Sequence, residues 1–343
     1  MTNYDQHAVR TQNRRNVLDY IIGKGTVSRQ DISKDLGSSM TTVLAITNFL
    51  VDKGLVTVKG QIKTAKGRHP QLLHYRPDGA KAVSIDYDAK RAYVALCDSI
   101  GKEIISTEAN VSNNISCFFR KELPQMVDQV TRGQKNILGA GIAMPGDFSP
   151  DLSKMVFGAP SEIQGIDDFI HLRDEFMKST GLSLYCFNDG NAAAWGEYLE
   201  RGGKEEDLVF IYLGDGLGAG LVLDGKLRSG SRFSAGEIGY MVFDPAFRTS
   251  ILKPGWFENN ITSDKDQSDL ISLAIANVSN VLDVDLFVLN SSNGNEMISL
   301  IQDKVKNLAL NTVRIVAPKC NNSVISGTAR LVISREIERI LES

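Results

Sequence analysis

Residues Gly181 to Tyr240 read GLSLYCFNDGNAAAWGEYLERGGKEEDLVFIYLGDGLGAGLVLDGKLRSGSRFSAGEIGY. A short apolar segment, Leu184 to Phe187, ends in Asn188 and Asp189, and a helical pattern follows from Ala192 to Glu200. The apolar run Leu208 to Leu213 predicts a buried strand. It opens into Gly214, Gly216, Gly218 and Gly220, then returns through Leu221 to Leu223 to an Asp224-Gly225 turn. This is a hairpin whose tip is nearly free of side chains, where backbone can approach a ligand closely. Gly236-Glu237-Ile238-Gly239-Tyr240 then places a further acid at a strand or turn end. A glycine-rich tip by itself is equally the mark of a plain tight turn. The glycine spacing, and the hairpin instead of a helix behind it, exclude a dinucleotide fingerprint.

Upstream, Gly141-Ile142-Ala143-Met144-Pro145-Gly146 forms a second apolar strand running into a Pro-Gly turn. Asn-Asp after a strand, a glycine hairpin about two dozen residues on, Gly-Glu-x-Gly, and this Pro-Gly loop together resemble the core of the ROK family. That family groups sugar-responsive repressors and sugar kinases on the actin/hexokinase-like fold. The resemblance runs from about Val83 to the C-terminus.

A length of 343 residues accommodates two or three compact units. No apolar run approaches the ~20 residues of a membrane helix, and MTNYDQHAVRTQNRR at the start is not a signal peptide. A cytoplasmic protein without membrane association is expected. Cys97, Cys117, Cys186 and Cys320 are scattered, which gives neither a zinc knuckle nor a disulfide framework. Charge is uneven. Residues 1 to 80 carry 12 Lys/Arg against 6 Asp/Glu, a net of +6, and the remainder carries 26 against 35, a net of −9. A basic head on an acidic body points to a nucleic-acid-binding head.

The head's pattern agrees with its charge. Val9 to Gly23 has helical spacing, with Val17, Leu18, Ile21 and Ile22 opposite Arg10, Arg14 and Arg15. Ser28 caps a short helix, Arg29 to Leu36, which Gly37 stops. Ser38 or Ser39 caps a third helix, Met40 to Lys53, with Val43, Ile46, Phe49 and Leu50 as its apolar face. Two short helices about a glycine turn are a helix-turn-helix pattern. Strands Leu55 to Val58 and Gln71 to Tyr75 then flank a basic, glycine-bearing loop. Its Lys59, Lys63, Lys66 and Arg68 suit phosphates or a narrow minor groove. The pattern resembles the winged helix-turn-helix head of ROK repressors, with Ser28-Arg29 and Gly67-Arg68 at the matching places. It implies that Ser28, Arg29, Ser38, Ser39, Thr41, Thr42, Ala45, Lys63, Lys66 and Arg68 meet DNA, with the third helix in the major groove. Leu44 stands where many members have a serine, which shifts the expected groove contacts.

The body predicts an α/β fold. Strands Ala82 to Asp86, Ala92 to Asp98 and Glu103 to Ala109 form a meander. Helix Phe118 to Arg132, strand Ile137 to Ala143 and helix Asp167 to Thr180 lead into the central stretch. After it come helix Ser268 to Leu282, strand Asp285 to Asn290, helix Asn295 to Leu308, strand Thr312 to Ala317 and helix Ser326 to Leu341. The resemblance implies two actin/hexokinase-like lobes facing a ligand cleft.

Within the family the Asp of Asn-Asp is the kinase base, which maps to Asp189 as a vestigial position. The phosphate apparatus departs from the kinase pattern. Asp86-Tyr87-Asp88-Ala89-Lys90 lacks the glycine and threonine of Asp-x-Gly-x-Thr, Asp215 replaces a threonine, and Val288 to Ser292 lacks the Gly-Gly of the adenosine pocket. Like charges at 4 Å cost on the order of 4 kcal/mol at an effective dielectric of 20. Neither a nucleotide cofactor nor catalysis is expected. Tyr240 replaces the zinc histidine and no cysteine lies between Met241 and Phe257, so no zinc is expected either. Asn188, Asp189, Glu237, Tyr240 and Glu258 are the implied sugar-binding residues, carboxylates and an amide suited to adjacent hydroxyls. Trp195 and Trp256 read as core aromatics, with stacking on a sugar face left open.

The expectation is therefore a winged helix-turn-helix at residues 1–76 and a two-lobed ROK body at 77–343. Such a chain represses genes by binding double-stranded operator DNA as a homo-oligomer, a dimer or a tetramer. A small carbohydrate effector modulates it. Two alternatives stand beside it: a sugar kinase with a DNA-binding head, and a DNA-binding protein whose body only oligomerises.

Overall fold

The structure, a computed structural model, describes residues 3–61, 71–88, 90–111, 115–148, 155–157, 166–204, 207–213, 217–243, 264–291 and 294–343. The chain opens with α1 (Asn3–Lys24), β1 (Thr26–Ser28), α2 (Arg29–Asp35), α3 (Met40–Asp52), β2 (Val56–Gln61) and β3 (Gln71–Tyr75). The three strands pair antiparallel in the order β1-β3-β2. Strand β1 leaves no mark in the sequence, because three residues are too few to show a period. It joins the sheet through Val27, opposite Leu73. Val17, Leu18, Ile21, Ile32, Val43, Leu50 and Leu73 fill the space between helices and sheet.

Next come β4 (Lys81–Tyr87), β5 (Arg91–Asp98) and β6 (Glu103–Asn110), a helical turn α4 (Ile115–Cys117), α5 (Leu123–Thr131), β7 (Ile137–Met144), the two-residue β8 (Asp147–Phe148), β9 (Met155–Phe157), α6 (Ile166–Thr180), β10 (Leu184–Asn188) and α7 (Asp189–Glu200). Among the described residues the sheet order is β10-β7-β4-β5-β6, with β4, β7 and β10 parallel and the β4-β5-β6 meander antiparallel. The second half repeats this plan. It has β11 (Leu208–Leu213), β12 (Leu217–Leu223), β13 (Lys226–Leu227), α8 (Asp264–Leu282), β14 (Leu286–Asn290), α9 (Gly294–Val305), β15 (Arg314–Val316) and α10 (Ser323–Glu342). Its sheet order is β13-β12-β11-β14-β15, again an antiparallel meander beside parallel strands. Each sheet thus has the same connectivity, meander first and then two helix-linked parallel strands.

Helices α7 and α10 pack against each other. Helix α7 also lies on β11 and β12, and α10 on β4 and β7. Small residues set their separation. A Cβ at Gly196 would overlap the Ser323 carbonyl oxygen, and one at Gly327 would overlap that of Ala192. Beside this crossing Glu197 is wholly buried. Its carboxylate accepts hydrogen bonds from the backbone N–H of Lys319 (2.7 Å) and Cys320 (3.0 Å) and from the Arg201 guanidinium (2.8 Å). A buried carboxylate is tolerable only when its lone pairs are filled in this way.

Removing this acid strands those donors. Glu197→Ala is expected to lower the unfolding free energy in urea by about 3–5 kcal/mol. Glu200→Ala, which removes the half-exposed partner of Arg330 one turn on, costs less than about 1 kcal/mol. Equal, small effects from both would contradict the account of this joint.

Candidate functional site

Three parallel strands end side by side. Asp86 is opposite Ala143 in the β4–β7 pairing, and Asn188 is opposite Met144 in the β10–β7 pairing. Ligand sites in α/β sheets gather at such carboxyl ends. Asn188 is the N-cap of α7, its Oδ1 accepting from the N–H of Asn191 (2.9 Å), while its Nδ2 donates to the Gly146 carbonyl (3.2 Å). The expected Asn-Asp pair and the Pro-Gly loop are therefore joined by a hydrogen bond. Asp189 occupies the first turn of α7 and accepts from the Gly190 N–H (2.8 Å).

The acid that sequence reasoning did not count as a site residue is Asp86. Burial, the Asp189 charge and then the Asp88 charge push its carboxyl up to about 7. Burial also raises Asp189, against the lowering pull of backbone N–H groups. Near neutrality Asp86 can therefore offer either a proton or a lone pair to a hydroxyl. Its signal in the sequence was an acid near the end of an apolar strand, read there only as part of a departed kinase motif.

Glu237 and Tyr240 lie at a turn fastened to the same place. The Gly236 carbonyl accepts from the Ala219 N–H (2.8 Å), and Tyr240 N–H donates to the Glu237 carbonyl (3.1 Å). Gly220, next to Ala219 on β12, lies so near α7 that a Cβ there would overlap the Gly190 carbonyl oxygen. The backbones around Asp189 and Glu237 thus meet at Ala219-Gly220. Glu258, Trp256 and the hairpin tip Gly214-Asp215-Gly216 lie outside the described residues, as does most of the stretch expected to lack zinc ligands. Among the described residues no group of three His, Cys, Asp or Glu could hold a metal ion. Trp195 stacks on Tyr198 at 5.4 Å between centroids.

A cleft of about 870 Å³ runs from Asp86, Arg91 and Tyr93 to Lys319, Asn322 and Arg330. Several backbone donors along it are engaged by the chain's own side chains. At the β4–β5 turn the Asp88 carboxylate accepts from the N–H groups of Lys90 (3.0 Å) and Arg91 (2.7 Å). Across the cleft, Glu197 takes the N–H groups of Lys319 and Cys320, and Asn322 takes that of Ile325 (3.1 Å). Loops and helix starts of this kind bind phosphate through free N–H groups. Here the chain's own side chains fill those positions.

In the head, Ser39 caps α3, accepting from the Thr42 N–H (3.1 Å), and Ser38 is half-buried. Thr41, Thr42, Leu44 and Ala45 are exposed on one side of that helix. Ser28 is buried and forms a capping box with Asp31. Arg29 donates to Thr47 Oγ1 (2.7 Å), Gln71 Oε1 (2.9 Å) and Asn48 Oδ1 (3.1 Å). Both residues are thereby turned inward, bracing α3 against α2 and β3. Lys63, Lys66 and Arg68 lie outside the described residues.

The Asp86 environment has a measurable consequence. The unfolded chain loses this proton near the usual carboxylate value of about 3.9, whereas the folded chain keeps it to about 7. The folded state binds more protons between these values, so stability falls as pH rises through this window and is level above it. Asp86→Asn lacks the penalty. Its melting temperature relative to the parent is expected to rise from pH 4 to 7 and stay constant above. A pH-independent offset would contradict the assignment.

The sequence matches the ROK family over residues 82–255. It is 30% identical over 234 residues to a xylose repressor of Caldicellulosiruptor bescii, an alignment covering 66% of this chain and 58% of the relative. The chain thus spans about three-fifths of the length of the curated relative it matches. The fold superposes on the crystal structure of a ROK family transcriptional regulator, a homolog of the E. coli MLC protein, with TM-score 0.78, 19% identity and coverage of 97% and 98% of the two chains. It also superposes on a ROK family glucokinase from Streptomyces griseus in complex with glucose and AMPPNP, with TM-score 0.60, 17% identity and coverage of 74% and 99%. Both likenesses concern the fold, and they confirm the expected actin/hexokinase-like plan with a helical head. With the sequence match covering half its length, the chain belongs to the ROK family.

Proposed function

We propose that this protein is a sugar-responsive, DNA-binding transcriptional repressor, with a winged helix-turn-helix at residues 1–76 and a sensing body at 77–343. The observation that carries the reading is the occupied backbone at the β4–β5 turn, the first of the two loops where a kinase would hold phosphates. The Lys90 and Arg91 N–H groups there are bound to Asp88, and across the same cleft those of Lys319 and Cys320 are bound to Glu197. Phosphoryl transfer depends on positioning and charge neutralisation, and a cleft prefilled with carboxylates opposes both. The polar corner at Asn188, Asp189 and Glu237 is free of that objection, since a neutral sugar asks for hydrogen bonds alone. Asp86 beside it adds a group able to donate. The name of the C. bescii relative makes xylose the first sugar to test.

Signal transfer follows α10. Its N-terminal end is fixed to α7, whose own start carries Asn188 and Asp189. Its C-terminal end holds the head. The Leu341 carbonyl accepts from Arg14 (2.6 Å), Glu338 pairs with Arg15 (2.9 Å), and the Glu342 carbonyl bonds the His7 ring (2.9 Å). Arg14 in turn lies over the Phe49 ring of α3, 3.6 Å from its centroid. A sugar that prefers one arrangement of the α7–α10 pair would shift the head's position, and only by its preference for that arrangement. Paired heads on a homo-oligomer would then gain or lose the spacing of two DNA half-sites.

Thermal shift against aldoses, their phosphates and ATP tests the reading. A sugar, xylose first, is expected to raise the melting temperature, and Asp189→Ala to abolish the rise. ATP should produce neither a shift nor turnover. ATP-dependent phosphorylation lost on Asp189→Ala would replace this reading with a kinase, and a flat panel would favour a body that only oligomerises.

A further inference from the structure

A groove of about 470 Å³ lies beside the exposed face of α3, between it and the first half of α1. Its floor is apolar, with Val9, Ile46 and Phe49, and its α3 rim is Thr41, Thr42 and Ala45. Its α1 rim is Gln6, Arg10 and Asn13, which recur at positions i, i+4 and i+7 and so share one helix face. No acidic side chain lines it among the described residues. Arg14, at its edge, has its charge disfavoured first by burial and then by Arg10. Two guanidinium groups are thus crowded together without a carboxylate between them. Arg14 donates to Leu341, whereas Arg10 makes no hydrogen bond or ion pair among the described residues.

We propose that α1 is part of the DNA interface, with Gln6, Arg10 and Asn13 gripping the phosphate strand that borders the major groove entered by α3. This rests on the DNA-binding reading given above. Two packed helices lie roughly 8–10 Å apart, and a major groove is about 12 Å wide. Once α3 occupies the groove, its neighbour cannot enter and must lie over the bordering backbone. The groove between the helices receives that backbone. Its cationic rim is continuous with the exposed threonines, and the absence of acids among its described lining residues matches a polyanion. Contacts of this kind fix register and carry little sequence information. From the groove's edge round to its far side, α1 bears the Arg14, His7 and Arg15 bonds to α10. One helix therefore touches the sensing body on one face and phosphate on the adjoining one.

The test is fluorescence anisotropy of the full chain with a random-sequence duplex of about two helical turns, between about 50 and 200 mM salt. Arg10→Gln is expected to weaken binding several-fold and to reduce the salt slope by about one. Asn13→Ala should weaken binding with the slope unchanged, and Arg10→Lys should restore most of the affinity and all of the slope. An Arg10→Gln protein with parental affinity and slope overturns the inference while the DNA-binding reading stands. So does one whose sedimentation changes while its DNA binding does not, which would mark the groove as a contact between copies of the chain. A parent protein that binds no duplex at low salt overturns both.

Discussion

The buried Glu197 carboxylate is the constraint on which the two halves of the body depend. It lies beside the Gly196–Gly327 crossing, where two helix backbones approach too closely for any side chain between them. Close approach alone would leave the turn that leads into α10 with unpaired N–H groups at Lys319 and Cys320, a cost that buried backbone must meet. Glu197 meets it from the neighbouring helix and is itself satisfied by Arg201. The two helices therefore behave as one piece. One end of that piece carries Asn188 and Asp189, and the other carries the carbonyls that hold α1.

The same hydrogen bonds bear on chemistry. A fold shared with a nucleotide-bound glucokinase offers backbone N–H groups in loops and at helix starts as natural phosphate seats. In this chain Asp88 accepts from the N–H groups of the β4–β5 turn, and Glu197 from those of Lys319 and Cys320 across the cleft. These donors are thereby engaged by the chain's own carboxylates. The Asn188–Asp189 corner is different. Burial and the Asp189 charge raise the Asp86 carboxyl, and burial raises that of Asp189, which suits hydroxyl groups that both donate and accept.

Much of this was legible in the sequence. Asn188-Asp189, Pro145-Gly146 and Gly236-Glu237 are local signals at strand ends, and the structure joins the first two by a hydrogen bond and hangs the third on β12. The first meander and the glycine hairpin that opens the second half could be read from apolar runs, but the short third strand β13 (Lys226–Leu227) could not. What was not legible depends on contacts distant in sequence. Arg29 reads as a basic residue beside a recognition helix, but its partners are Thr47, Asn48 and Gln71, so it braces the head. Glu197 carries no signal within its helix that marks it as buried, and its partners appear only when α10 is laid across it. Asp86 looks like a relic of a lost motif until Asp189 is placed nearby. The first half of α1 has a mixed face whose meaning appears only when α3 is set beside it.

The central claim is that occupancy of the Asn188–Asp189 corner reaches the DNA-binding head through α7 and α10. Its most direct test is the affinity of the full chain for duplex DNA from its own upstream region, measured with and without each aldose of a panel that includes xylose. The account predicts that at least one sugar changes the affinity about tenfold or more, a coupling of about 1.4 kcal/mol. It also predicts that Asp189→Ala removes the response while leaving sugar-free affinity intact. A DNA affinity indifferent to every sugar, or a response that survives Asp189→Ala, would contradict it.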